Sequence, residues 1–365
     1  MDDQQGGVLI RPEISLEIAG TNANKIAASY LFTGYRERVA KNTRHNQDFD
    51  LTMFTTYMQS LGIQVSEALA HDPDSWKGIT WGLVQGFVHW QLQDGFAINT
   101  VNRRLSTVKT YSALAHKAGA ISEDEHARIQ SVKGYGHRHG KNADAQREVT
   151  RKGEKKEYTT NIDDDQADAL KRQPDTLQGR RDALIMCLLI DHGLRVGEVA
   201  LLRVEHFNLR TRYFTFYRPK VDKEQKHRMS ADTYFAATAY LFQGGPKSGP
   251  LWYSTNKDGS IRETVRVRNK LEPVACHMSE RAIEERIALL GRRVDTENLS
   301  PHDLRHYWAF HVTEAGTDVK ALQDAGGWNS VAMPMRYIKS TEVANERVKY
   351  KKRQQHDEIQ NDETR

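Results

Sequence analysis

The chain has 365 residues, with 53 Lys+Arg against 48 Asp+Glu, and the net charge of +5 is only a weak pointer to a polyanionic partner. Its 11 Phe, 14 Tyr and 6 Trp exclude a chain that never folds. The longest apolar run, Ala183 to Ile190, falls far short of the roughly 20 residues that span a bilayer.

The length suggests two domains. The acidic start, Met1-Asp2-Asp3-Gln4, shows no secretory signal, so the expected location is cytoplasmic. Cys187 lies in the apolar run and reads as a buried thiol, and with Cys276 it builds neither a disulfide framework nor a Cys-based zinc site. Residues 1–22 are read as a flexible segment and residues 23–137 as a helical domain. Within the latter, Phe49, Met53, Phe54, Tyr57, Met58 and Leu61 recur at three-to-four-residue spacing and predict one inward face. A second helix covers Thr80 to Gln93, with Trp81, Val84, Phe87, Val88 and Leu92 inward. A third opens at Asn99-Thr100, carries Val101, Leu105, Val108, Tyr111 and Leu114, and stops at Gly119. No strand signal interrupts them, so the domain is a small helical bundle.

Residues 138–157 read as a basic linker. Around them, Lys133, Arg138, Lys141, Arg147, Arg151, Lys152, Lys155 and Lys156 face only Asp144, Glu148, Glu154 and Glu157. Such a stretch is a solvated connector, and it can also lie along a polyanion. The second domain, residues 158–345, is mixed but mainly helical. Helices are predicted at Asp163–Arg172, Arg180–His192, Ser279–Leu290, Asp303–Ala315, Asp318–Ala325 and Thr341–Lys352. The aromatic run Tyr213-Phe214-Thr215-Phe216-Tyr217 begins a small antiparallel hairpin that turns around Val221–Gln225. Residues 346–365 form a polar tail.

Three clusters carry chemistry. In Gly193-Leu194-Arg195-Val196-Gly197-Glu198, a guanidinium stands at a helix start with a carboxylate three residues on; this is either a surface pair or an anion fork. In Ser300-Pro301-His302-Asp303-Leu304-Arg305-His306, Ser-Pro opens a helix and places His302, Arg305 and His306 on one face. His302 and His306 flanking Asp303 echo the zinc-protease spacing, but Asp is a methylene shorter than the Glu that pattern needs, and Arg305 would set a cation beside the metal. A phosphate site fits these residues better. The third cluster is Ala325-Gly326-Gly327-Trp328 with Met335-Arg336-Tyr337-Ile338. In isolation Trp328 reads as core and Tyr337 as an ordinary half-buried tyrosine.

Taken in order, Arg195, a basic hairpin with Lys220 and Lys223, His302-x-x-Arg305, Trp328 and then Tyr337 resemble the tyrosine recombinase (phage integrase) family. The wording Ala325-Gly326-Gly327-Trp328 and Met335-Arg336-Tyr337-Ile338 looks closest to its Cre-like branch. In the first domain, the stretch from Gly95 to Leu105 resembles the family's core-binding helix.

The resemblance implies a metal- and cofactor-free DNA strand transferase. Tyr337 attacks a phosphodiester, leaving a 3′-phosphotyrosyl link and a free 5′-hydroxyl, and a Holliday junction forms on the way. Arg195 and Arg305 hold the non-bridging oxygens, and His302 assists proton removal from Tyr337 or bonds the phosphate. Trp328 offers an indole N–H and packs under the site. Lys220 protonates the leaving 5′-oxygen, with Lys223 as the alternative on the same hairpin. Glu198 and His306 support the catalytic groups. Pro334 is expected to cap or bend the helix bearing Tyr337. The partner is double-stranded DNA with short inverted-repeat sites, bound by a homotetramer of subunits that are monomeric in solution, with the tail as a candidate subunit-exchange helix. The short stretch before residue 20 argues against an added arm-binding domain. Arg103, Arg104 and Lys109 on one helix, and Thr43 and Arg44 at another helix start, are groove candidates as well as ordinary solvated side chains. Type IB topoisomerase chemistry and a non-cutting DNA-binding protein of the same fold are the rival readings.

Overall fold

The computed structural model describes residues 15–152, 159–256, 264–267, 270–273 and 278–341. The chain divides into two compact units, residues 1–157 and residues 158–365. Among the described residues no helix is long and apolar enough to cross a membrane. Cys276, most of the helix expected at Thr341–Lys352 and the tail at 346–365 lie outside them.

Among the described residues the elements of the first unit are helices: α1 (Leu16–Arg38), α2 (Lys41–Ser60), α3 (Trp81–Gln93), α4 (Ile98–Lys117), α5 (Glu123–Ser131) and α6 (His137–Asp144), with two 3₁₀ turns between α2 and α3. Helix α1 already begins at Leu16, where the Ser15 hydroxyl caps the Ile18 amide, so residues 16–22 are helical rather than a loose lead-in. Its Phe32 enters a core built from Phe54, Trp76, Phe87, Val101, Val108 and Tyr111. Burying each such side chain is worth roughly 1.5–3 kcal/mol relative to leaving it exposed. The inward stripe of α2 runs through Asp50, Leu51, Phe54, Tyr57 and Met58. Phe49 and Leu61, expected inside, lie off it and stay about half exposed, as does Trp81 at the first position of α3.

Part of the expected linker is folded structure. Helix α6 occupies its start, and the Arg147 guanidinium donates to the carbonyls of Leu92 and Phe96, both at 3.0 Å. Lys152 pairs backbone with Gly95 and Ala97 at 3.0 Å, and its ammonium lies over the Phe96 ring. Arg147 thus bridges carbonyls at and just beyond the end of α3, while the Lys152 ammonium pairs with Asp94 at 2.5 Å. The rest of the linker, including Lys155 and Lys156, lies outside the described residues.

The second unit is mostly helical: α7 (Asp164–Lys171), α8 (Leu177–Ile190), α9 (Val196–Ala200), α10 (Ala231–Phe242), α11 (Glu280–Arg292), α12 (Pro301–Glu314), α13 (Val319–Gly326) and α14 (Ala332–Thr341). A three-stranded antiparallel sheet, β1 (Phe207–Asn208), β2 (Tyr213–Arg218) and β3 (Lys223–Arg228), runs in the order β1-β2-β3. The turn is at residues 219–222, and Lys223 is the first residue of β3 rather than part of the turn. A second hairpin joins β4 (Thr264–Val267) to β5 (Lys270–Pro273). Helix α8 is buried nearly all round against Phe214, Phe216, Trp252 and Ile287, and Cys187 is buried within it. A smaller core of Trp308, Ala309, Leu322 and Tyr337 joins α12, α13 and α14.

Candidate active site

Strand β2 sets one wall. Side chains two apart share a face, and Phe214, Phe216 and Arg218 are all fully buried. Arg218 therefore continues an aromatic stripe as a buried cation. It donates to both oxygens of Glu198 at 3.0 Å, to the carbonyl of Gly326 at 3.1 Å and to that of Ala325 at 2.6 Å. Glu198 also accepts from Arg195, at 2.8 Å from the guanidinium and 2.9 Å from the backbone N–H. One buried carboxylate thus orients two arginines, and Arg195 reaches on to the Gly327 carbonyl at 3.3 Å.

Helix α12 sets the second wall. Ser300 and Asp303 form its capping box, with the Ser300 N–H at 2.8 Å from the Asp303 carboxylate and the Thr160 N–H at 3.0 Å. Asp303 is therefore occupied by the cap, which tells against the metal spacing weighed for His302 and His306. Arg305, one turn in, is 4% exposed and donates to the carbonyls of Gly193 and Gly326. Burial, reinforced by Arg195 and Arg218 and opposed by Glu198, pushes its pKa down to about 9. Arg195, Arg218 and Arg305 all reach carbonyls of the loop Ala325-Gly326-Gly327. Gly327 has φ 59°, and a Cβ there would lie 2.6 Å from the Arg218 side chain, so glycine serves both the left-handed turn and the close approach.

That turn delivers Trp328. The Arg305 guanidinium lies 4.5 Å above the Trp328 ring, which neighbours Trp308 at 6.1 Å and Tyr337 at 5.9 Å. Tyr337 itself is 7% exposed on α14. Pro334 falls in the first turn of that helix, where the N–H it lacks would have no intrahelical acceptor, so no bend is required. The hydroxyl of Tyr337 meets Nδ1 of His306 at 3.1 Å, and Nε2 of His306 meets Nε2 of His302 at 2.9 Å. The ring against the tyrosine is His306; His302 stands one hydrogen bond further away and keeps an edge to solvent. Burial raises the Tyr337 pKa, opposed by Arg305 and Arg336. Burial also lowers both imidazoles, His302 feeling Arg305, Lys220 and Arg195 in addition, and His306 feeling His302 and Arg305. Lys220 sits exposed in the β2–β3 turn, and its charge reaches His302. Lys223 is exposed on β3, paired in register with Arg218.

The expected groove residues of the first unit divide. Thr43 is exposed and Arg44 half-buried in the first turn of α2. Arg103 is half exposed and bonds Asp50 at 2.9 Å. Arg104 does not reach a groove: it is 2% exposed, lies 4.2 Å from the Phe96 ring centre and donates to Gln91 at 3.2 Å. Its position on α4 turns it toward the core. Lys109 donates to the Gln130 carbonyl at 2.8 Å and so ties α4 to the end of α5. In the same unit His116, Glu123 and His126 bring three metal-capable donors together, with His116 at 2.9 Å from Glu123 and the two imidazoles stacked at 4.5 Å. An ion pair and a ring stack account for that grouping.

The sequence reading passed over Arg218 as a site residue and gave His306 only a supporting place. The period-two alternation along β2 carried a signal for Arg218, since it put a cation on the Phe214 and Phe216 face. No spacing rule could show that His306, rather than His302, meets the tyrosine on a separate helix.

The phage integrase family matches residues 160–343. The chain is 26% identical over 178 residues to tyrosine recombinase XerA of Pyrococcus horikoshii, covering 48% of this chain and 55% of that one. It is 23% identical over 318 residues to tyrosine recombinase XerD of Pseudomonas aeruginosa, covering 85% and 89%. In solved structures its fold is similar to that of the Tn1549 transposon integrase in complex with transposon right-end DNA, with a TM-score of 0.56 at 15% identity over 85% of this chain and 94% of that one. With Arg195, Glu198, His302, Arg305, Trp328 and Tyr337 gathered within the matched residues, the chain belongs to the phage integrase family, the tyrosine recombinases.

Proposed function

We propose that this protein is a site-specific DNA recombinase that cuts and rejoins duplex DNA through a 3′-phosphotyrosyl link to Tyr337. The observation that carries the reading is a charge imbalance: Arg195, Arg218 and Arg305 converge on one loop with a single carboxylate, Glu198, among them. Such a cradle favours an anion, above all the added negative charge of a pentacoordinate phosphorane. Arg195 and Arg305 bind the non-bridging oxygens, while Arg218, wholly buried, holds Glu198 and the loop in place. Trp328 packs under Arg305 and carries an indole N–H for a phosphate oxygen. Lys220 protonates the leaving 5′-oxygen; its influence on His302 supports it over Lys223. These protein cations supply the charge stabilisation of the step. In the first unit, Thr43, Arg44 and Arg103 are our candidates to meet DNA, their exposed or half-buried side chains supporting the reading. Two inverted half-sites per duplex and four subunits per synapse complete the reading, as does a Holliday junction between the two exchanges. The names of the relatives support recombination over simple relaxation of supercoils.

A nicked duplex pool with a randomised central stretch, incubated in EDTA, tests this directly. Wild type should become covalently attached to a subset of the pool, and Tyr337→Phe should attach to none. Attachment by Tyr337→Phe, or a requirement for divalent metal, would overturn the assignment.

A further inference from the structure

We infer that His306 takes the proton of Tyr337 and hands one from its other ring nitrogen to His302, so that the two imidazoles form a two-step proton relay; this deepens, and rests on, the recombinase reading. The geometry fixes how the relay must be set. Two Nε2 atoms at 2.9 Å can share only one proton. If Tyr337 donates to Nδ1 of His306 at 3.1 Å, His306 carries its own proton on Nε2. His302 then presents a lone pair at Nε2 and carries its proton on Nδ1.

The attack balances on these atoms. As the bond from Oη to phosphorus forms, the Oη–H bond breaks and its proton passes to Nδ1 of His306. The Nε2 proton of His306 passes to His302, which becomes an imidazolium. The bond from phosphorus to the 5′-oxygen breaks, and that oxygen takes a proton from Lys220, which becomes neutral. One positive charge is thus lost at Lys220 while one appears at His302, beside the same phosphate. Each imidazole must be neutral at the start, and burial and the surrounding cations favour that: His302 faces Arg305, Lys220 and Arg195 against Asp303, while His306 faces His302, Arg305 and the tyrosine, again against Asp303. Rejoining runs the same path backwards, returning a proton to Oη from His306. The competing role for His306 is mechanical, as a ring packed 5.4 Å from that of Tyr337.

Two measurements separate these roles. In the DNA-free protein above the titration of the imidazoles, ¹⁵N NMR, with His306→Gln used to assign the signals, should find His306 protonated on Nε2 and His302 on Nδ1. A proton on Nδ1 of His306 would overturn the relay whatever happens with DNA. The second measurement is single-turnover cleavage of the nicked duplex that wild type captures from the randomised pool. His306→Ala should slow cleavage by about 100-fold or more, the usual range for general base loss. His302→Ala should do the same, and the double variant should be no more than about 3-fold slower than the worse single one, because the pair acts as a unit. Placing the more acidic 3-fluorotyrosine at position 337 of the His306→Ala protein should restore roughly 10-fold of the His306→Ala loss. A His306→Ala rate within 3-fold of wild type, or a loss that the acidic phenol does not relieve, would overturn the relay. Failure of wild type itself to attach to any DNA would instead defeat the recombinase reading, and the tautomer measurement would still decide the hydrogen-bond chain.

Discussion

In each unit a buried arginine lies beside a carboxylate that a more exposed arginine shares, and one such pair from each bears comparison. In the first unit Asp50 is flanked by Arg103 and buried Arg104; in the second Glu198 is flanked by Arg195 and buried Arg218. The side chains are alike, but their remaining partners differ. Arg104 spends its capacity on buried Gln91 and on the face of buried Phe96, with the half-exposed Phe49 on its outer side. Arg218 spends its capacity on the carbonyls of Ala325 and Gly326, in the turn that leads to Trp328. A buried arginine whose acceptors are side chains of the packed core serves the fold, whereas one whose acceptors are carbonyls of a turn places what that turn carries.

The sharpest way to break this comparison is Arg218→Met. It leaves Glu198 buried with only Arg195 and removes the Arg218 donors from the Ala325 and Gly326 carbonyls, and breaking a buried pair in this way costs about 3–5 kcal/mol. Urea denaturation should show that loss, and DNA attachment should fall further than the lost stability explains. Equal falls in both would make Arg218 a purely structural residue like Arg104.

Arg104→Met should cost less, about 1–3 kcal/mol, because Asp50 keeps Arg103 at 2.8 Å and Thr107 at 2.9 Å. The cleavage rate on saturating DNA should be unchanged in the folded fraction. A rate defect there would show that the first unit's arginine also reaches the chemistry.

A third test uses pH. His192, buried near His227, is pushed down to about 3, and His227, buried near Arg218, to about 4. In the unfolded chain both return to about 6.5. The unfolded state therefore binds more protons between these values, and stability rises with pH across that window. The contribution is full above about pH 6.5 and is lost as pH falls toward 4 and then 3. At pH 4.5 the loss is on the order of 2 kcal/mol for each imidazole. His192→Gln should flatten the pH dependence of the urea midpoint, and an unchanged slope would contradict the assignment.

The smallest effect belongs to Arg103→Ala. Being half exposed, Arg103 can still give a guanidinium face to a phosphate. Its loss should weaken DNA binding by about 1 kcal/mol and lower the salt-dependence slope by about one. Arg104→Met should leave that slope alone, which separates the two neighbours on α4.

Much of this molecule was legible in its sequence, though unevenly. The helical stripe through Phe54, Tyr57, Met58, Phe87 and Tyr111 follows from spacing alone, since 3.6-residue periodicity is local. The order Arg195, His302, Arg305, Trp328 and Tyr337 could also be read from the sequence as a set, and the structure brings these residues together around one loop. What failed were readings that depend on which way a polar side chain turns. Arg104 and Arg103 are adjacent in sequence, and only the packing of α4 against α2 and α3 decided that one is core and the other surface. Arg147 and Lys152 carry charge suited to a linker, but the carbonyls of Leu92 and Phe96 claimed the first and the Asp94 carboxylate the second. His302 and His306 are one turn apart on one helix, and the position of α14 against α12 decided which of them meets Tyr337. Sequence thus determined the chemical inventory and the local periodicity, which depend on neighbours along the chain. Tertiary structure alone decided the partners of each charged group, because a buried hydrogen bond is closed by atoms up to 112 residues away.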